Sequence, residues 1–302
     1  MIMQVVKNWI RVSRANFAPV IIFPYSVGAA FAARDCPFRL QKFLLGLFGG
    51  WLVLISACLL NEYWDYRFRA DLLEDGRHPH FGGSKAIQEG VVSPAAVRRA
   101  AWFCFSVVVV MGGALSLFLS SWPLAALILS ATVIAWAYTA PPFRLIYRGW
   151  GELVLFISFG PLLVSGGYLL QSGTVTMPIV LLSLSPGLLT AAVLVANEFG
   201  DEAADSRAGK KNLRFRAGPR RTLLVFRGCL FFAYAIPMAG SLAGIFPLIF
   251  LLVAGSFPLA LWVSTLLGRE IERGGDFEET SARMILLYNV FHIVLIGCII
   301  FL

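Results

Sequence analysis

Charge is scarce in this chain. Only 14% of its 302 residues are Asp, Glu, Lys or Arg, while 58% are hydrophobic, and soluble domains carry about 25% charged residues. That shortage excludes an ordinary water-soluble domain. Histidine is rarer still, with three in all. His78 and His80 flank a proline in a loop with no thiolate near them in sequence, which reads as a solvated loop rather than a metal centre. His292 lies in the last apolar run and reads as a packing hydrogen bond. The five cysteines never fall at C-x-x-C spacing. Four of them lie in or beside apolar runs, which excludes a zinc knuckle or disulfide framework and leaves buried packing. No cleavable leader is evident: the first apolar run begins near Phe17 and many more follow it, so it reads as a membrane span.

What the chain has in quantity is apolar runs, and its mean hydropathy is +0.77. About 20 apolar residues cross a bilayer core as a helix. The sequence predicts nine such spans, at 16–33, 43–63, 100–119, 122–139, 151–170, 178–198, 223–242, 245–267 and 284–302. The expected fold is therefore all-α, a polytopic helical bundle in one domain over 1–302.

The connections alternate in character. Those near 120, 171 and 243 are short and uncharged, while those at 64–99, 140–150, 199–222 and 268–283 are rich in Lys and Arg. Basic loops stay in the cytoplasm. This puts the N-terminus inside, the C-terminus outside, and all but Arg34, Arg39 and Lys42 of the 25 basic residues on the inner face. The net charge of +8 thus marks membrane orientation, and its confinement to loops between spans argues against nucleic acid. All but Asp35 of the 17 acids lie on that same face. Acids contribute little to orientation, so their crowding needs another cause.

A repeated motif supplies one. The second span ends in Asn61-Glu62-Tyr63-Trp64-Asp65 and the sixth in Asn197-Glu198-Phe199-Gly200-Asp201. N-E-x-x-D recurs at the same end of two spans, which suggests two related halves with acidic motifs at 61–71 and 197–205. At about 100° per residue, Asn61, Glu62 and Asp65 share one helix edge, and Asn197, Asp201 and Asp205 form one stripe. Asp71 falls off that edge and belongs on a turn. Clustered acids at the membrane boundary are costly unless a cation relieves them. Magnesium takes oxygen ligands and is commonly shared between carboxylates and a substrate phosphate. Glu62, Asp65, Asp71, Glu198, Asp201 and Asp205 are the candidate ligands of a magnesium–diphosphate site, with Asn61 and Asn197 beside them.

A diphosphate also needs fixed positive charge. Lys85 lies in the glycine-rich stretch FGGSKAIQEG at 81–90, Arg144 in YTAPPFRLIYR at 138–148, and Lys210 and Lys211 in GKKNLR at 209–214. Ordinary positive-inside topology is the alternative source of these bases. Tyr138 and Tyr63 are candidates to shield a carbocation with their ring faces.

These features resemble the UbiA superfamily of intramembrane prenyltransferases. The usual first motif there is N-D-x-x-D with a further Asp, met here by Asn61-Glu62-x-x-Asp65 and Asp71. The second, D-x-x-x-D, is met by Asp201 and Asp205, and YTAPPFR at 138–144 is similar to a Tyr-containing loop with a base. GGSKAIQEG, YTAPPFRL and NEFGDEAADSRAGKKNL look most like the menaquinone branch, whose members prenylate 1,4-dihydroxy-2-naphthoate with loss of its carboxylate. The resemblance implies a magnesium-dependent polyprenyl transferase. Asp65, Asp201, Lys85, Arg144 and Tyr138 would be catalytic, Asn61, Lys85, Arg144, Asn197, Lys210 and Lys211 would hold the diphosphate, and Arg14 and Asn16 would touch the acceptor. The implied partners are a polyprenyl diphosphate, an aromatic acceptor and the inner membrane's bilayer, with no protein partner. Other acceptors remain open: 4-hydroxybenzoate, homogentisate, a chlorin, haem or a glycerol lipid. A secondary transporter is the rival from another class.

Overall fold

A computed structural model describes residues 2–70 and 82–301, apart from the side chains of Ile2 and Asn16. Asp71, His78 and His80 lie outside the described residues, as does the side chain of Asn16. Regular structure among the described residues is entirely helical. The helices are α1 (Ile2–Val12), α2 (Ala18–Ala32), α3 (Leu40–Phe68), α4 (Pro94–Phe118) and α5 (Trp122–Thr139). Then come α6 (Gly151–Ser172), α7 (Met177–Gly200), α8 (Glu202–Arg207), α9 (Leu213–Leu242), α10 (Leu248–Arg273) and α11 (Glu278–Ile300).

Eight of these are long and apolar enough to cross a membrane, and α2 is a shorter apolar helix of 15 residues. Together they match the nine expected spans. Local chemistry sets several starts. Ser93 and Ser121 accept hydrogen bonds from the N–H groups of Ala96 and Leu124, each just ahead of a proline in the first turn, where a missing N–H costs nothing. Asn212 caps α9 the same way through the Phe215 N–H.

The helices outrun the apolar runs at their polar ends. α3 continues to Phe68, α9 begins at Leu213 and α10 reaches Arg273. Hydropathy marks the bilayer core, whereas helical hydrogen bonding continues into the polar layer. α9 is broken at Gly218, with φ 75° and ψ 168°, just before Pro219. α1 was not expected, because its 11 residues, interrupted by Gln4, Lys7, Asn8 and Arg11, make too short an apolar run to span.

The main core packs Phe226, Leu230 and Tyr234 of α9 against Phe250, Leu287 and Phe291, all essentially buried. Leu59, Leu60, Val97 and Phe105 join α3 to α4. The outer surface is apolar instead of charged: Phe118 is 85% exposed and Trp122 80%, as suits contact with lipid. Lipid gives helices no hydrophobic reason to associate, so small residues that permit close contact do that work. A Cβ on Gly28 of α2 would lie 1.9 Å from the Val164 carbonyl oxygen of α6, and one on Gly167 would lie 2.4 Å from that of Tyr25. These approaches draw α2 onto α6, and α6 turns through a π-helical stretch at Ser158–Leu162 containing Pro161.

Gly28→Val is therefore expected to prevent α2 from docking. Little monodisperse protein should be recovered in detergent, while Gly228→Ala, whose added carbon meets nothing within 4 Å, should change stability by no more than about 0.5–1 kcal/mol. Size-exclusion profiles and thermal melts check both.

Candidate active site

The bundle encloses a cavity of about 360 Å³. It follows α3 from Leu45 and Gly46 past Gly49, Val53 and Ala57 to Asn61 and Asp65. Twenty residues of helix make roughly 30 Å, the thickness of a bilayer core. Most of its wall is apolar, with Met111 and Leu115 from α4, Leu127 and Ile128 from α5, and Leu162 and Leu163 from α6. One end is polar, lined by Asn61, Asp65, Asn197, Glu198, Asp201, Asp205, Lys210 and Arg14.

The two acidic motifs thus meet, although 136 positions separate Asn61 from Asn197. Lys210 joins them: its ammonium lies 3.5 Å from Asp65 and 3.1 Å from Asp205. Asn61 donates to Asp65 at 2.8 Å, and the Tyr147 hydroxyl donates to the other Asp65 oxygen. Asn212 donates to Asp205 at 2.8 Å, and the Gly82 N–H reaches Asp201 at 3.3 Å. Asp201 closes α7 and Asp205 stands in α8, yet the Asp205 N–H still bonds the Asp201 carbonyl at 2.8 Å. The i, i+4 stripe therefore survives the break between helices.

Other expected residues stand elsewhere. Glu62 is 1% exposed and does not line the cavity. Its Oε1 accepts from Arg14 at 2.7 Å and from the Ser84 N–H at 2.8 Å, and its Oε2 accepts from the Ser84 hydroxyl at 2.7 Å. Glu198 lines the cavity and also accepts the Arg214 N–H at 3.0 Å. Lys85 is buried but outside the cavity wall. Arg144, also outside it, lies 3.8 Å over the Phe68 ring and 4.4 Å over the Tyr147 ring. It therefore packs against Tyr147. Lys211 is exposed, and its backbone N–H bonds the Tyr147 carbonyl at 3.1 Å. Tyr138 does line the cavity, whereas Tyr63 packs on Trp64 in the α3–α4 cluster.

Tyr147, Asn212 and Ser84 were not foreseen. All three sit inside stretches chosen for their bases, and Asn212 is in addition a residue type favoured ahead of a helix's first turn. Burial, followed by the Asp65 charge, pushes the Tyr147 phenol well above its usual range. It stays protonated at any physiological pH and keeps donating to Asp65.

Among the described residues, no three His, Cys, Asp or Glu side chains form a metal cage by themselves. Magnesium does not require one, since it commonly uses one or two carboxylates together with water and phosphate. Asp65, Asp201 and Asp205 are hard oxygen donors at the cavity end. The Lys210 ammonium already marks a place for positive charge between two of them, and the buried Asn61 Oδ1 has no hydrogen-bond partner among the described residues. The donor set fits a hard divalent cation.

The model of the UbiA prenyltransferase family matches residues 21–288. The chain belongs to this family. A 1,4-dihydroxy-2-naphthoate octaprenyltransferase of Mycobacterium tuberculosis is 28% identical over 84% of both chains. A 2-carboxy-1,4-naphthoquinone phytyltransferase of Synechocystis is 28% identical over 84% of this chain and 80% of its own. The fold agrees with a UbiA homolog from Archaeoglobus fulgidus whose structure holds DMAPP and Mg2+, with TM-score 0.69, 18% identity, and coverage of 98% of this chain and 100% of that one. As a UbiA family member, the chain is a multi-span membrane protein and a prenyltransferase.

Tyr147→Phe removes a hydrogen bond to a charged group, worth about 1.5–3 kcal/mol. Initial rates of prenyl transfer should fall about 10- to 100-fold. Lys211→Ala, at an exposed side chain, should stay within about twofold of the unsubstituted rate.

Proposed function

We propose that this chain transfers a polyprenyl group from its diphosphate to 1,4-dihydroxy-2-naphthoate, with loss of the acceptor's carboxylate. One observation carries the reading: two acidic motifs from distant parts of the chain share the polar end of an apolar cavity as long as the bilayer core. The names of the relatives from Mycobacterium tuberculosis and Synechocystis favour a naphthoate-type acceptor over 4-hydroxybenzoate, homogentisate, a chlorin, haem or a glycerol lipid. A secondary transporter would place its acids at mid-span, whereas here they lie at one end of the cavity.

In this reading Asp65, Asp201 and Asp205 hold Mg2+, with Glu198 at the edge of the set. When bound, the metal supplies positive charge that stabilises the departing diphosphate. Asn61, Asn197 and Lys210 contact the phosphate oxygens, and Tyr147 keeps Asp65 aimed. Lys85, Arg144 and Lys211 stand outside the cavity wall; Arg144 supports the site by stacking on Tyr147 and Lys211 through its backbone contact with the same residue. Glu62 leaves the metal set. The allylic C–O bond breaks with its electron pair going to the diphosphate. A ring carbon of the acceptor donates a pair to form the new C–C bond, and departure of carbon dioxide returns a pair to the ring. Tyr138 presents its ring to the cationic chain, and Arg14 stands at the cavity end for the acceptor's acidic group. The apolar trunk takes the prenyl tail, open to lipid between helices. The site and N-terminus face the cytoplasm of an inner membrane and the C-terminus lies outside. The bilayer and the two substrates are the only partners this reading needs.

Purified protein given octaprenyl diphosphate, Mg2+ and either 1,4-dihydroxy-2-naphthoate or 4-hydroxybenzoate should yield a prenylated, decarboxylated naphthol by mass spectrometry. Chelation should abolish it and added Mg2+ restore it. Product from 4-hydroxybenzoate alone would overturn the acceptor, and no prenylated product from a wider acceptor panel would overturn the function.

A further inference from the structure

Residues 82–90 cross the polar end of the cavity as a strap. Gly82 and Gly83 line that end, and the Gly82 N–H reaches Asp201 of the second motif at 3.3 Å. Two further fastenings hold the strap. On its inner side, Ser84 gives its N–H and its hydroxyl to Glu62 of the first motif at 2.8 and 2.7 Å, and Arg14 closes on the same carboxylate at 2.7 Å. On its outer side, Arg11 of α1 grips both oxygens of Glu89 at 2.7 and 2.8 Å, while its Nε donates to the Ser84 carbonyl at 2.9 Å. Paired guanidinium–carboxylate contacts of this kind fix orientation as well as adding energy.

Arg11, Glu62, Ser84 and Glu89 are all absent from the cavity wall. Arg11 and Glu89 reach the reacting end through the strap, and Glu62 reaches it through Ser84 and through Arg14, which lines that end. Glu62 also stands where the family resemblance leads one to expect Asp. Its extra methylene, about 1.5 Å, lets one carboxylate meet Arg14 and both Ser84 donors.

We propose that Glu62 and the Arg11–Glu89 clasp are positioning residues that keep this strap closed, and so decide whether the prenyl group goes to the acceptor or to water. The competing reaction balances simply. A water oxygen forms the new C–O bond, diphosphate leaves with the old bonding pair, and the water proton passes to solvent, giving free prenyl alcohol. Excluding water is what prevents it. The partition rests on the prenyl transfer proposed above, whereas the closure of the strap can be read without it.

Arg11→Glu, Glu89→Arg and the double swap would be compared with Glu62→Asp in one assay. Labelled octaprenyl diphosphate, Mg2+ and 1,4-dihydroxy-2-naphthoate are supplied, and prenylated product and prenyl alcohol are counted in the same reaction. Each single change should raise the ratio of alcohol to product about tenfold, and the swap should bring it back. Glu62→Asp should raise the ratio with no change in the Mg2+ concentration giving half the maximal rate. A fall in both products at an unchanged ratio would overturn the proposal, leaving only loss of folded protein. A higher Mg2+ requirement in Glu62→Asp at an unchanged ratio would overturn it and return Glu62 to the metal set. Hydrogen exchange of the 82–90 amides, which needs no acceptor, should quicken about tenfold in Arg11→Glu and slow again in the swap. Unchanged exchange would overturn the strap itself. If the unsubstituted protein makes no prenylated product, the proposed function fails while the exchange result still judges the strap.

Discussion

Carboxylates at the edge of a membrane must be neutralised where they stand, and the polar end of this structure is organised around that need. Each acid there is met by a specific donor. Lys210 lies between Asp65 and Asp205, Tyr147 and Asn61 hold the two oxygens of Asp65, and Asn212 takes Asp205. In water such pairs contribute little. At this depth an unpaired charge costs several kcal/mol. The same requirement makes the cluster receptive to a cation, which would take the carboxylate oxygens that line the cavity end.

The rest of the bundle gives that cluster somewhere to act. Glycine contacts draw α2 against α6, while the facing sides of α3, α4, α5 and α6 leave a long apolar cavity, with Gly46, Gly49 and Gly50 of α3 and Gly112 of α4 on its wall. Arg144 shows how the polar loops serve the site from outside. Stacked on Phe68 and Tyr147, it stiffens the residue that orients Asp65 without touching the cavity.

The spans were legible because a bilayer core demands about 20 apolar residues in a row, and no other constraint on this chain imitates that. Their polar ends were less so, since helical hydrogen bonding runs past the point where hydropathy falls. The pairing of Asp65 with Asp201 and Asp205 could be read from the repeated motif. The separation of Glu62 from Asp65 could not, because both share one helix edge and only the position of Ser84 and Arg14 draws Glu62 away. Among the bases, composition hid the answer: positive-inside topology fills every inner loop with Lys and Arg, and neither spacing nor neighbours told Lys210 apart from Lys85 or Lys211. Tyr147 escaped notice for a related reason, as one aromatic among many in a membrane protein.

The most direct test is the binding of a polyprenyl thiodiphosphate, a slow-reacting analogue, measured with and without Mg2+. The unsubstituted protein should bind it about 10- to 100-fold more tightly with the metal, and Asp65→Asn or Asp201→Asn should each erase most of that gain. Equal binding without Mg2+, unaffected by either substitution, would contradict the claim that these two motifs together form the metal–diphosphate site.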